Sequence, residues 1–305
     1  MTESFTLPAF AKINLFLHIH GRREDGYHEL CTVFQTISLH DSLTFSPSDY
    51  GEIRLTCDDP AIPTGEDNLI IRAASLLKKE FSLDLGASIG LVKRIPSPGG
   101  LGGGSSDAAI SLIGLIKLWQ LNIEFEALKD LSLQLGSDVP FFLYGGTALG
   151  TGRGTEITPL DDFKDDKMVV ATPRINVATA DAYSLLSKPG LTTGDSNRIL
   201  KICHKEAERL LCGQSELRND FEEVVFRSKP ELAQAKNSLL ELNAVNVLMS
   251  GSGASFFASF ADESARKNAL ARLKQETDWQ IFAVDTVSRE RYLDSLDACS
   301  DLLKH

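Results

Sequence analysis

Apolar and polar residues alternate with period two from Ala9 to His20, in a stretch rich in β-formers, and predict a strand. Ile13, Leu15, Leu17 and Ile19 fall on one face of it, and Lys12, Asn14, Phe16, His18 and His20 on the other. Lys12 and Asn14 therefore project side by side. His18 and His20, an HxH pair without a third ligand nearby in sequence, read as structural. A turn over Gly21–Gly26 follows, and Tyr27-His28 opens a strand over Leu30–Leu39. A further strand pair is expected at Ser42–Phe45 and Ile53–Cys57. The period then becomes helical: Leu69, Ala73, Leu76, Leu77 and Phe81 share a face over Asn68–Phe81, with cations in the last turn. A strand near Ser88–Lys93, a largely apolar helix ending near Trp119 and a helix over Glu124–Leu135, stopped by Gly136, come next. Gly145–Gly150 and Thr155–Thr158 form a hairpin around Gly152-Arg153-Gly154, and the polar run Asp161–Lys167 marks a boundary.

Beyond it the order is a strand at Met168–Thr172, a helix near Thr179–Leu186, helical insertions at Arg198–Leu211 and Pro230–Leu242, strands at Val245–Met249 and Ser255–Phe260, a helix at Glu263–Gln275 and a strand at Gln280–Val287. Without the insertions this is β-α-β-β-α-β, the ferredoxin-like plan. A chain of 305 residues has room for two cores, and domains over 1–160 and 161–305 are expected.

Composition adds exclusions. Apolar residues make up 43% and charged residues 24%, as in an ordinary soluble chain. Met1–Pro8 has neither the basic start nor the apolar core of a signal peptide, and no run approaches the ~20 apolar residues of a membrane span. Cys31, Cys57, Cys203, Cys212 and Cys299 show no CxxC spacing, which points to reduced thiols in a cytoplasmic protein, without disulfides or zinc. A net charge of −11 and the lack of a basic stripe argue against nucleic acid as a partner.

Chemistry concentrates at Pro96–Ser106, where most residues are Gly or Ser. Without side chains at Gly102–Gly104, several N–H groups can converge on one anion. Ser105 or Ser106 can cap the helix that follows, so the loop opens onto its positive end, a phosphate site. The plainer alternative is a tight surface turn. No Lys precedes Ser105 as in a Walker loop, and neither register of GxGxxG fits. The Ser pair suits a triphosphate with Mg²⁺. An acidic chain needs such local positive potential to hold a triphosphate. In Ser137-Asp138-Val139-Pro140, Asp138 reads equally as a helix cap. Met249–Ser255 is either a hairpin turn or a second ligand-facing loop.

Three stretches, Pro8-Ala-Phe-Ala-Lys12-Ile-Asn14-Leu15, Pro96–Ala109 and Ser250-Gly-Ser-Gly-Ala254, resemble the three motifs of the GHMP kinases in order and separation. Gly26-Tyr27-His28-Glu29-Leu30 and Leu135–Phe142 narrow the resemblance to the branch acting on a cytidine diphosphate-linked methylerythritol in the non-mevalonate isoprenoid pathway. The resemblance covers nearly the whole chain. It implies an α+β fold: an N-terminal ATP-binding domain like domain 2 of ribosomal protein S5, and a C-terminal ferredoxin-like domain, with catalysis between them. It implies Lys12 and Asp138 as the catalytic pair. ATP would meet Pro96, Ser97, Pro98, Gly99, Gly100, Leu101, Gly102, Gly103, Gly104, Ser105 and Ser106, with Ser106 also on Mg²⁺ and Asn68 and Lys93 at the adenine. The substrate would meet Asn14, Tyr27, His28, Thr179, Tyr183, Gly251, Ser252 and Gly253, the rings holding cytosine. Pro98 departs from the usual small residue and has no N–H to offer. The implied reaction moves the ATP γ-phosphoryl group to the substrate's 2-hydroxyl, with Asp138 as base and Lys12 offsetting charge. The alternatives are another GHMP kinase, whose members lack the Tyr-His pair and Gly136–Pro140 in this context, and a non-catalytic nucleotide-binding module, which would have lost Lys12 or Asp138.

Overall fold

The computed structural model describes residues 3–48, 51–186, 190, 191 and 196–303. Strand β1 (Phe5–Arg22) pairs antiparallel with β2 (His28–Ser48) along nearly its whole length. No glycine or proline interrupts β2 between Leu39 and Ser42, so it absorbs the segment expected as a separate strand at Ser42–Phe45. The predicted pairing of that segment with Ile53–Cys57 does not form. Strand β3 (Ile53–Cys57) instead runs parallel to β4 (Gly86–Val92), on the far side from β2.

A second correction concerns the faces of β1. The register slips between Asn14 and Phe16, and a bulge there re-aims the side chains from Phe16 to Ile19, before a second slip between Ile19 and Gly21. Leu17 joins Lys12 and Asn14 on the wall of a cleft, while Phe16 packs with Ala11 and Ile13. Strict alternation cannot reveal an inserted residue. Lys12 and Asn14 are buried, at 3% and 2% exposure, and do not belong to a solvated face.

Helix α1 (Leu69–Glu80) starts at Asn68, whose side chain accepts from the Ile70 N–H, and packs on α2 (Gly103–Leu118) and α3 (Phe125–Leu135). The β5 (Thr147–Gly152) and β6 (Glu156–Pro159) hairpin extends the first sheet from β2.

The second half begins with β7 (Met168–Thr172), α4 (Thr179–Ser184) and α5 (Ser196–Leu211). Next come β8 (Arg218–Asn219), α6 (Phe221–Ser228) and α7 (Pro230–Glu241). Strands β9 (Asn246–Met249) and β10 (Phe256–Ser259), helix α8 (Glu263–Glu276) and strand β11 (Gln280–Val284) follow. The order β11-β7-β10-β9, antiparallel throughout, is ferredoxin-like.

The boundary at residue 160 falls between the two sheets, but the later chain returns to the first. Strand β8 pairs parallel with β1 at Phe16 and Leu17. Ile199, Cys203, Ala207 and Leu210 of α5 pack with Ala11, Ile13 and Cys31. After β11 the sequence predicted nothing, yet α9 (Arg289–Ser295) and a 3-10 turn at Asp297–Leu303 bury Tyr292, Leu296, Cys299 and Leu303 in the first core. Such short segments carry too few periods to be read. No helix among the described residues is long and apolar enough to cross a membrane.

Candidate active site

Helix α2 begins earlier than its sequence suggests. Its N-cap is Gly102, in the left-handed region at φ 70°, so neither Ser105 nor Ser106 is the cap. Gly103, Gly104 and Ser105 therefore form the first turn, and their N–H groups have no carbonyl one turn earlier. The ladder starts with the Ser106 N–H donating to the Gly102 carbonyl at 2.8 Å.

The loop before α2 is clasped by the second half of the chain. Gly100, at φ 73°, sits so close to the Ser250 carbonyl that a Cβ would lie 2.1 Å from that oxygen. The Ser250 hydroxyl donates to the Gly100 carbonyl at 2.9 Å, and the Ser255 N–H to the Gly99 carbonyl at 3.1 Å. Asn219 fixes the clasp in turn, its Nδ2 donating to the Met249 and Gly251 carbonyls at 2.6 and 2.8 Å.

Beneath α2 lies a buried triad. Lys93 Nζ donates to Asp41, and to Asp107 Oδ2 at 2.9 Å. The other oxygen of Asp41 accepts from the N–H groups of Arg94 and Ile95, at 2.5 and 2.8 Å. Burial pushes the Asp107 carboxyl up to about 7, with Lys93 opposing and the Asp41 charge adding to the rise. Burial also penalises the Lys93 ammonium, but its two carboxylate partners outweigh this and hold it charged.

The strand face of β1 and the segment before Pro140 meet at Lys12 and Asp138. Lys12 Nζ lies 3.4 Å from Asp138 Oδ2 and donates to Asn14 Oδ1 at 2.7 Å. Asn14 Nδ2 donates to the Thr32 hydroxyl at 2.8 Å, which donates to the Phe16 carbonyl at 2.8 Å. This chain of bonds fixes the buried ammonium in place. Opposite stand the rings: His28 stacks on Tyr183 at 5.2 Å, and Tyr183 meets Phe221 edge-on at 4.9 Å. Burial, with Asp138 adding to it, raises the Tyr183 phenol and keeps it neutral. The Arg153 guanidinium lies 3.5 Å from the centre of the exposed Tyr27 ring.

One cleft of about 1060 Å³ gathers Lys12, Asn14, Tyr27, His28, Pro96 through Ser105, Asp138, Thr179, Tyr183, Gly251 and Ser252. That exceeds the roughly 300–1,000 Å³ of an ordinary small-ligand site. Four predicted residues are off its wall. Asn68 spends its side chain on the Ile70 N–H and the Pro63 carbonyl. Lys93 is held below by Asp41 and Asp107. A Cβ on Gly253 would meet Met249 Sδ at 2.8 Å. The Ser106 side chain is fully buried, and Ser105 takes the place on the wall. The helix is capped three or four residues before the expected serines, and in that phase Ser106 turns inward.

The sequence profile of the GHMP kinases N terminal domain matches residues 68–146, and that of the GHMP kinases C terminal matches residues 198–277. A 4-diphosphocytidyl-2-C-methyl-D-erythritol kinase from Solibacter usitatus is 42% identical over 299 residues, covering 95% of this chain and 91% of the relative. One from Acetivibrio thermocellus is 36% identical over 286 residues, covering 93% and 100%. The chain belongs to the 4-diphosphocytidyl-2-C-methyl-D-erythritol kinase family. A crystal structure of 4-(cytidine 5'-diphospho)-2C-methyl-D-erythritol kinase matches with a TM-score of 0.75 at 34% identity, over 92% of this chain and 99% of that one. A homoserine kinase from Cytophaga hutchinsonii, at 18% identity and a TM-score of 0.70, shares the fold, over 95% of this chain and 97% of its own.

Membership of this kinase family brings ATP as co-substrate and a small molecule as acceptor. It also gives meaning to wall residues that sequence reasoning passed over. Arg153 stood in plain view between two glycines of the hairpin turn, but a turn arginine carries no signal of its own. Arg22, Thr32 and Phe34 also line the cleft, and Asn219 acts from behind it. No local pattern marks any of them.

Proposed function

We infer that this chain transfers the γ-phosphoryl group of ATP to the 2-hydroxyl of 4-diphosphocytidyl-2-C-methyl-D-erythritol. The observation that carries this reading is the Lys12–Asp138 pair, 3.4 Å apart on the wall of a cleft that also has a helix N-terminus and a set of rings. The triphosphate lies against the N–H groups of Gly103, Gly104 and Ser105, where the helix dipole also favours negative charge. An acidic chain thereby offers positive potential where it is needed.

The cytosine is held by Tyr27 and His28, with Tyr183 behind His28. Arg22 and Arg153 are the cations on that side, and Arg153 Nε is buried without a hydrogen-bond partner, which suits a diphosphate. Asn14, whose amide bonds both Lys12 and Thr32, positions the ammonium. Thr179 and Ser252 share a hydrogen bond of 2.9 Å that joins α4 to the loop carrying Gly251.

A tertiary hydroxyl is a weak nucleophile, so a base is required as it attacks phosphorus. Asp138 is the only carboxylate on the described wall and accepts that proton, while Lys12 offsets the charge on the transferring oxygens. Mg²⁺ prefers hard oxygen donors and keeps phosphates and water as most of its ligands. The Ser105 hydroxyl, on the wall beside the loop, fits as its protein ligand, and the ion would neutralise charge on the triphosphate.

ADP release in a coupled assay tests the reading, with the cytidyl alcohol, mevalonate and homoserine offered in turn. Turnover confined to the cytidyl alcohol is expected. Comparable turnover of mevalonate or homoserine would overturn it.

A further inference from the structure

Behind the first sheet, three side chains that take no part in phosphoryl transfer come together. His20 comes from β1, Cys31 from β2 and Cys203 from α5, and their ligand atoms all lie within 4.8 Å of one another. Leu30 and Thr32 line the cleft, so Cys31 between them faces the other way. Cys203 Sγ lies 3.7 Å from His20 Nε2, across 183 positions of sequence. A tetrahedral zinc, with Zn–S near 2.3 Å and Zn–N near 2.05 Å, needs N···S edges of about 3.6 Å and an S···S edge of about 3.8 Å. Cys31 and Cys203 are buried, at 1% and 0% exposure, whereas His20 is partly exposed to solvent.

We propose that His20, Cys31 and Cys203 bind one Zn²⁺ ion, with water as fourth ligand, and that the ion pins α5 to the first two strands. Binding displaces both thiol protons, so two thiolates and a neutral imidazole leave the centre uncharged and two protons go to solvent. Thiolates select a soft ion, so the Mg²⁺ that accompanies ATP does not compete here. The scattered cysteines hid the site, because its ligands meet only through the fold.

The test uses the full chain, reduced and stripped of metal by a chelator, without nucleotide. Titration with Co²⁺ under anaerobic conditions should give thiolate-to-cobalt charge-transfer absorption and tetrahedral d–d bands that saturate at one ion per chain. Zn²⁺ should displace the Co²⁺ and raise the Tm. Cys31→Ser and Cys203→Ser should each weaken Zn²⁺ by more than the roughly 10–100-fold that an outer-shell partner contributes. Cys212→Ser, at an exposed thiol elsewhere, should leave affinity unchanged. Co²⁺ bound without a thiolate band would overturn the proposal even if a Cys variant failed to fold. So would Zn²⁺ affinity that survives both substitutions, or a Cys31–Cys203 disulfide that forms in air while the reduced chain takes up no metal.

Discussion

Asp138 stands two residues before the 3-10 turn at Pro140–Leu143, whose N-cap is Val139 and which has no side-chain cap bond. Its carboxylate is therefore not consumed by the backbone, and the capping alternative falls. Asp138→Asn should lower kcat by about 10²–10⁴, with both KM values and the Tm near the parent, as steady-state kinetics and a melt would show. The ring side makes a separate prediction. Tyr27 has Arg153 on one face, so its loss removes a stacking surface worth about 1–3 kcal/mol. Tyr27→Ala should raise KM for the cytidyl alcohol about tenfold while KM for ATP stays within twofold, read from initial rates at fixed co-substrate. At this scale the sequence is legible where chemistry demands a residue type at a motif position, as at Lys12 and Asp138. It misleads where one residue of phase matters: Ser106 reads like Ser105, but only Ser105 reaches the cleft.

Helix α2 and the loop before it are legible as an element, yet each glycine has its own reason. A Cβ on Gly103 would press on Ile95 Cγ2 and Lys93 Nζ, both at 3.0 Å, so its smallness serves packing. A Cβ on Gly104 would meet nothing nearer than Leu69 Cδ1 at 3.8 Å, and this residue faces the cleft. Gly104→Val should therefore keep the Tm while weakening ATP more than about tenfold in calorimetry, since one charge-assisted bond contributes about 1.5–3 kcal/mol. The cytidyl alcohol should bind as before. Asp107 supplies a pH dependence. Its folded value, about 7, lies above the ordinary aspartate range, so between about pH 4 and 7 the folded chain keeps a proton that the unfolded chain has lost. Its contribution to stability is full below that window and falls as pH rises through it. Asp107→Asn should flatten this part of a Tm-against-pH curve. No periodicity announced the triad, because Asp41 comes from β2, Lys93 from the loop just after β4 and Asp107 from α2.

Across the whole molecule, the ferredoxin-like order was readable because strands and helices alternate with clear changes of period, and the profile matches agree with it. What escaped was the return of α5, β8 and α9 to the first sheet, since short apolar segments do not say which core they join. Asn219 shows how such a return serves the site. It is 5% exposed and satisfies two carbonyls of the loop that grips Gly99 and Gly100. Asn219→Ala should cost about 1–3 kcal/mol in denaturant melts, the penalty for stranding buried polar groups, and should raise KM for ATP as the grip loosens.

That grip spans 150 positions between Gly100 and Ser250. During synthesis at about 5–20 residues per second, the phosphate loop leaves the ribosome roughly 8–30 s before the residues that clasp it. The nucleotide site is thus among the last parts of the molecule to be finished, and a half-made chain has the loop's sequence without its shape.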